Sequence, residues 1–446
     1  MALAKFGFRS CVAWFSDLVQ RRASIDTDAD DSTLVDYDAV CHIKRLPDPV
    51  LDKIFTHSKC DVQYAPVERV VSQVASRWRT VSLGNPELWA TIDVRGHAEK
   101  QRALLQWYLN NSAGCPLDVR LALSQESWSA GVLEDILNEA PRLRSLSIRA
   151  DFEGAEAAVR ALCKSVCAPH LEHLTFIFLE QPPPILDLVL EADFSPVVFT
   201  GGVPQLSVVR LQHVERVLFP PLTGVTTLHL EEYTCPPMAY NCFCALLRAL
   251  PVLANLSVYG NAVEAWPASP ALRLPCLRSL RVSSNEEAGR MLLAFDTPAL
   301  TSLFLKNVRD IALVALWNGV SHAQQLHFPA LQTLSLDGPC GAQTLSAIYR
   351  EFPGITELRL VNCDADLALD LLRHASDLPR SIMVHRIRDT AVLDELLGRG
   401  IALQVHCDVS GVRDGVTRWE RLAPWPAELA RPDADDLFMQ LGTYRA

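Results

Sequence analysis

The chain has 446 residues, 49% of them apolar and 21% charged, with a formal net charge of −11. That length suits two to four ordinary domains, or one small domain with an extended repeat array. The acidic balance excludes broad nucleic-acid binding, which leaves a basic footprint, and 13 scattered cysteines in so long a chain exclude a disulfide scaffold.

Residues 1–25 place Phe8, Cys11, Val12, Phe15, Leu18 and Val19 at helical spacing, which predicts an amphipathic helix packed on the body. Arg9, Arg21 and Arg22 would suit a mitochondrial presequence, but Asp17 and the group Asp26, Asp28, Asp30 and Asp31 oppose it; that acidic group reads as a solvated linker. Residues 1–40 are therefore expected to be an N-terminal extension. No secretory signal is expected, because Lys5, Arg9 and Asp17 interrupt the apolar run. The longest weakly charged run, Phe194 to Val209, contains Pro196, Gly201, Gly202 and Pro204, so no transmembrane helix is expected either. Cytoplasm and nucleus are the expected compartments.

Over residues 41–95 a compact helical module is predicted. It opens with Leu46, Pro47, Val50, Leu51, Ile54 and Phe55, where Pro47 and Pro49 suit a first helical turn. Val67, Val70, Val71, Val74 and Trp78 then recur at steps of three and four, which predicts one further helix. Asn85-Pro86-Glu87-Leu88-Trp89 closes the module with a turn and two large apolar groups. A unit of that size is marginal alone and should lean on a neighbour or partner.

Three blocks in this order, Leu46-Pro47-Asp48-Pro49-Val50-Leu51-Asp52-Lys53-Ile54-Phe55, Val70-Val71-Ser72-Gln73-Val74-Ala75-Ser76-Arg77-Trp78-Arg79 and Pro86-Glu87-Leu88-Trp89, resemble the F-box of proteins abundant in mushroom-forming fungi. Ala75 stands where that family often has cysteine, a small residue expected to be buried as well. The helix Leu104 to Leu109 and strand Pro116 to Val119, within a connecting segment 96–125, resemble the link from this F-box to its repeats. The resemblance implies docking to a Skp-type adaptor and, through it, to a cullin and a RING-type ubiquitin ligase. The docking positions it implies are Leu46, Pro47, Val50, Leu51, Ile54, Phe55, Val74, Trp78, Leu88 and Trp89, some of which must be internal core.

Residues 126–409 carry nine copies of a short core: an apolar residue, two others, leucine or valine, one other, and a final apolar residue. The copies begin at Leu143, Leu171, Leu206, Val225, Leu253, Leu277, Leu300, Leu331 and Ile355, and eight of the nine have proline two places earlier. Most of their spacings, which run from 19 to 35 residues, fall in or near the leucine-rich-repeat range. Asn261, Asn285 and Cys363 occupy that template's Asn/Cys position, where a side chain can satisfy backbone groups as the strand turns away. Helical stretches are predicted at Ala155 to Val166, Tyr240 to Leu250 and Thr344 to Phe352. The expected fold class is thus a small all-α F-box module followed by an α/β leucine-rich-repeat solenoid, a horseshoe with parallel strands on its concave face. A last degenerate repeat spans Ile401 to Val409, and residues 410–446 form a cap or tail.

The chemistry expected of this chain is binding. It has no G-x-S-x-G elbow, H-E-x-x-H pair or Walker-type loop, so it is read as no enzyme. Cys163/Cys167 and Cys242/Cys244 belong to no paired C-x-x-C arrangement, so no metal is expected, nor any cofactor. Glu231/Glu232 and Glu286/Glu287 read as solvated loop residues, and Trp266, Trp317 and Trp425 as covers for loops. Positions alternating with the repeat motif place Arg149, His173, Arg210, His229, Arg281, Lys306 and Arg359 on one strip, against Glu231, Asp337 and Glu357. Arg210, His229, Arg281, Lys306 and Arg359 are the candidate substrate contacts, suited to an acidic or phosphorylated segment. The expectation is a substrate-recognition adaptor of an SCF-type ligase; the alternative is a repeat scaffold without ligase coupling.

Overall fold

The computed structural model describes residues 46–58, 66–94, 98–123, 126–164, 166–178, 198–212, 219–232, 237–267, 272–283, 288–306, 328–337, 352, 354–361, 381–385 and 402–406. The expected N-terminal helix and acidic linker, the helix expected from Thr344 apart from Phe352, the tail 410–446, and Asn285, Glu286, Glu287, Trp317, Cys363 and Trp425 lie outside those residues. Among the described residues no helix is long and apolar enough to cross a membrane. The chain divides into two compact units, residues 1–185 with 197–206, and residues 186–196 with 207–446.

In the first unit, α1 (Asp48–Ser58) begins where the carbonyl of Pro47 accepts the amides of Val50 and Leu51. Asp48 lies in its first turn and His57 in its last, each matched to the helix dipole. The single helix expected through Trp78 is instead two, α2 (Val67–Val74) and α3 (Ser76–Leu83), parted by Ala75 in an extended conformation at φ −154°. Ala75 is exposed rather than buried, so its small size answers no packing demand. The Asn85 side chain caps the short helix α4 (Pro86–Trp89), accepting the Glu87 amide at 3.0 Å.

A strand the sequence pattern did not announce, β1 (Thr91–Val94), follows at once and pairs in parallel with β2 (Leu117–Leu123) across helix α5 (Ala98–Asn111). Helix α6 (Glu126–Asn138) leads to β3 (Leu143–Ala150), and α7 (Phe152–Leu162) leads towards β4 (His173–Phe178). These four strands pair in chain order, so the parallel sheet starts at Thr91, ahead of the first repeat. Asp151 caps α7 by accepting the Gly154 amide at 3.0 Å. A Cβ on Gly154 would stand 2.5 Å from the Leu123 carbonyl oxygen, so only glycine lets the helix start this close to β2.

The second unit repeats one pattern. Strands β5 (Val208–Gln212), β6 (Thr227–Glu232), β7 (Asn255–Gly260), β9 (Ser279–Ser283), β11 (Ser302–Lys306), β12 (Thr333–Asp337), β13 (Glu357–Val361), β14 (Ser381–His385) and β15 (Ala402–His406) each pair in parallel with the next. A two-stranded parallel pair, β8 (Leu272–Arg273) with β10 (Phe295–Asp296), stands apart from them. Helices α8 (Tyr240–Arg248) and α9 (Ala288–Ala294) lie in the crossovers. Trp266 packs edge-on against Tyr240, Phe243 and Phe295 and is buried. The arrangement is a repeat-like α/β fold compatible with a solenoid.

Every repeat start closes the same turn, Leu143 by donating its amide to the Ala140 carbonyl. The amides of Leu171, Leu206, Val225, Leu253, Leu277, Leu300, Leu331 and Ile355 donate to the carbonyl three residues back, at 3.0–3.3 Å. Where proline precedes by two places it occupies the second turn position, whose φ it sets in advance and whose amide no partner needs. The turn points the leucine inward, and all eight of these residues are buried. Each following residue then donates to the previous repeat: Thr226 to Ser207, Ala254 to Thr226, Arg278 to Ala254, Thr301 to Arg278, Gln332 to Thr301 and Thr356 to Gln332. Asn261, by contrast, is exposed, so the role expected of that asparagine is not filled here.

The turn assigns different weights to two neighbouring residues. Leu277→Ala should lower the free energy of unfolding by about 2–5 kcal/mol, because a fully buried side chain leaves a cavity. Pro275→Ala, at an exposed turn position, should cost about 0.4–1 kcal/mol through the unfolded chain alone. Urea denaturation of the two variants checks the ranking.

Candidate docking and recognition surfaces

The ten residues implied as adaptor contacts divide sharply. Leu51, Ile54, Phe55, Trp78, Leu88 and Trp89 are buried, whereas Leu46, Val50 and Val74 are half-buried and Pro47 is exposed. The six form the module's own core: Phe55 meets Trp78 at 5.3 Å between ring centroids, and the Trp89 indole N–H donates to the Ser82 carbonyl at 2.8 Å. The four accessible ones gather at one end. Arg77, opening α3, donates to Asp48 Oδ1 at 2.6 Å and to the Leu46 carbonyl at 2.5 Å, which holds the α2–α3 junction beside the start of α1. Such an exposed pair contributes little stability, so its consequence is geometric.

The module is fastened to the strands that follow it. Trp89 packs against Trp107 at 4.4 Å and Tyr108 at 5.3 Å between centroids, both on α5. The Tyr108 hydroxyl donates to Glu68 Oε1 on α2 at 2.5 Å, and burial with the adjacent carboxylate pushes the phenol's pKa above its ordinary value. Arg142 donates to Ser112 Oγ at 3.0 Å and to the Leu109 carbonyl at 3.1 Å, linking the start of β3 to the end of α5. Nothing in the sequence pattern pointed to Glu68 and Tyr108, which lie forty residues apart and belong to no shared motif.

The candidate substrate strip is found in register but not in the open. Arg210, His229, Ser257, Arg281, Phe304, Ser335 and Arg359 face one another along successive strands, and Gln212, Glu231, Tyr259, Ser283, Lys306 and Asp337 form the adjacent row. Arg210, His229, Arg281 and Lys306 are buried, Arg281 at 0% exposure; Arg359 alone of the five is half-exposed. Glu231 belongs to β6 and is 0% exposed, so it is no solvated loop residue.

The charges on this face are matched by one another, across strands for Arg210 and Lys306 and within β13 for Arg359. Arg210 donates to Glu231 at 3.1 and 3.2 Å, Lys306 Nζ stands 3.9 Å from Asp337 and 5.9 Å from the Tyr259 ring centroid, and Arg359 donates to Glu357 at 2.9 Å. Arg281 lies over the Phe304 ring at 5.8 Å. These groups are structural partners of one another, a use of arginine and lysine that outward alternation alone does not reveal.

On the first four strands the corresponding face is accessible. Asp93 and Arg149 are exposed, and Arg120, Ser145, Ser147, His173 and Thr175 are half-buried. Arg144 donates to Asp118 at 3.0 and 2.5 Å, pinning the register shift between β2 and β3, and the carboxylate's hydrogen bond raises the guanidinium's pKa.

No family model matches the chain, and no curated protein matches it. Among solved structures it is similar to the crystal structure of a Bacteroides fragilis protein at 15% identity and a TM-score of 0.34, over 68% of this chain and 76% of that one. A likeness of that degree carries no inference about function.

Two outcomes follow from the buried charges. Burial, with Arg281 and Arg210 nearby, holds the His229 pKa well below its ordinary value, so the unfolded chain takes up a proton near pH 6.5 that the folded chain refuses. Stability should therefore fall as pH drops below about 6.5, with a slope approaching 1.4 kcal/mol per unit, and His229→Leu should flatten it; denaturation midpoints between pH 7 and 5 measure this. Glu231→Gln, which leaves buried Arg210 without its carboxylate, should cost about 3–5 kcal/mol, read by the same denaturation at pH 7.

Proposed function

We propose that this chain is a substrate-recognition adaptor of an SCF-type cullin-RING ubiquitin ligase, its helical module an F-box that docks a Skp-type adaptor and its strands a leucine-rich-repeat array that holds the target. What carries the reading is the coincidence of the three F-box-like blocks with α1, with α2–α3 and with α4. The large apolar residues of those blocks form the module's interior, while Leu46, Pro47, Val50 and Val74 remain accessible at one end. A docking surface needs apolar side chains that can be desolvated by a partner, and that end supplies them. The chain would contribute proximity and orientation, with the chemistry residing in the ubiquitin-conjugating enzyme. Such an adaptor works in cytoplasm or nucleus and needs neither cofactor nor metal.

The division into buried and accessible residues selects the decisive variants. Pro47→Glu with Val50→Glu should abolish co-purification with the Skp-type adaptor and cullin while the module keeps its helical content, because these positions border solvent. Leu51→Asp with Phe55→Asp should lose both binding and helical circular dichroism, since it places charge in the core. A wild-type chain that co-purifies with neither protein is a repeat scaffold without ligase coupling.

A further inference from the structure

The accessible end of the helical module is built from two pieces that no shared helix joins. Leu46, Pro47 and Val50 belong to the entrance of α1, and Val74 is the last residue of α2. Ala75 then breaks the helix in an extended conformation and gives α3 no side-chain cap, so the local sequence does not fix where α3 begins. One side chain spans the pieces. Arg77, in the first turn of α3, donates Nε and Nη2 to Asp48 Oδ1 at 2.8 and 2.6 Å, and Nη2 to the Leu46 carbonyl at 2.5 Å. We propose that Arg77 and Asp48 are the positioning residues of the docking end: their bond sets Leu46, Pro47 and Val50 against Val74 in the arrangement that the adaptor binds. This rests on the adaptor reading and deepens it by naming the contact that holds its site in shape.

One face of α1 carries the polar ties of the module. Asp48, Asp52 and Thr56 recur every fourth residue, so they stand above one another on that face. Asp48 takes Arg77 from α3, while Asp52 and Thr56 accept the side-chain amide of Asn85, the residue that caps α4. Val50, two residues from each aspartate, is turned about 200° away from them. The helix is thus clamped along its polar stripe and offers another side to a partner. The two ties differ in what stands behind them. At α4 the core residues Leu88 and Trp89 back the Asn85 tie. At α3 the core contact is Trp78 against Phe55, well along α1, which leaves the first residues of α3 and the segment ahead of α1 to be placed by Arg77. An exposed pair adds little stability, and a positioning contact lowers affinity only by the fraction of molecules it keeps in the binding shape. Its loss is therefore felt as a few-fold in affinity with the fold intact.

The test uses the full chain and a purified Skp-type adaptor, with affinity read by biolayer interferometry and folding by circular dichroism and the urea midpoint. Arg77→Gln should weaken adaptor binding about fivefold, with helical content and midpoint unchanged. Asp48→Asn should weaken it less, because Arg77 has contacts beyond this pair. The double variant should be no weaker than Arg77→Gln alone, since Asp48 acts through Arg77. Arg102→Gln, which breaks an exposed pair of the same kind between α5 and α6, should change nothing. The proposal is overturned if both single variants bind as wild type, or if their losses add, which makes Asp48 an adaptor contact in its own right. It is equally overturned if the urea midpoint falls with the affinity, which makes the pair a prop of the fold. A wild-type chain that binds no adaptor removes the ligase reading and this inference with it, whereas wild-type binding with unchanged variants removes only the inference.

Discussion

The fold depends on one backbone hydrogen bond made again and again: the amide of each leading leucine donates to the carbonyl three residues earlier. That bond reverses the chain just before each strand, turns the leucine inward, and leaves the next amide free to reach the preceding repeat. Stacking and core formation are therefore consequences of a single local event, and a unit that closes its turn has already chosen its register. Because the constraint sits at the strand's entrance, the crossover that returns the chain is almost unconstrained in length. Neighbouring repeats can begin 19 or 31 residues apart and still pair strand to strand.

A parallel sheet with a polar second face must either wet that face or satisfy it internally. Both solutions occur here, on different strands. Around β5–β12 the sheet sets Arg210 against Glu231 and Lys306 against Asp337, with Tyr259 and Phe304 giving the cations aromatic faces. Around β1–β4 it keeps hydroxyls and arginines in contact with water. The helical module packs on these strands' side of the chain: Glu68 and Trp89 fasten it to α5 and Arg142 ties α5 to β3, so its orientation relative to β3 is set by packing.

The repeated core was legible because its signal is local. A leucine at the turn, an alternating pair behind it and proline two places ahead can be read from a dozen residues, and each of the nine copies marks a strand. Helices α7 and α8 showed their apolar spacing in the same way. What stayed hidden was whatever depends on two distant segments. Strand β1 is too short to show a period, and the break at Ala75 interrupts an unbroken helical pattern without glycine or proline. Outward alternation placed Arg210, His229, Arg281 and Lys306 on one face, but it carries no information about what lies over a face, so their burial was not legible. In the module, the apolar blocks were plain in the sequence. Their split into core and rim was not, since Leu51 and Val50 are adjacent and differ only in which way the helix turns them.

The ion pairs between successive strands also give each repeat an address. Repeats of this kind are often pictured as interchangeable bricks, equal in turn and core. Yet β5 carries a buried guanidinium answered by β6, and β11 a buried ammonium answered by β12. Setting β11 beside β5 in place of β6 would put Lys306 where Glu231 answers Arg210, crowding like charges in a space where water cannot screen them. Order along the chain is thus written twice, once by connectivity and once by charge, and recombination between repeats would yield chains whose turns close but whose neighbours reject one another.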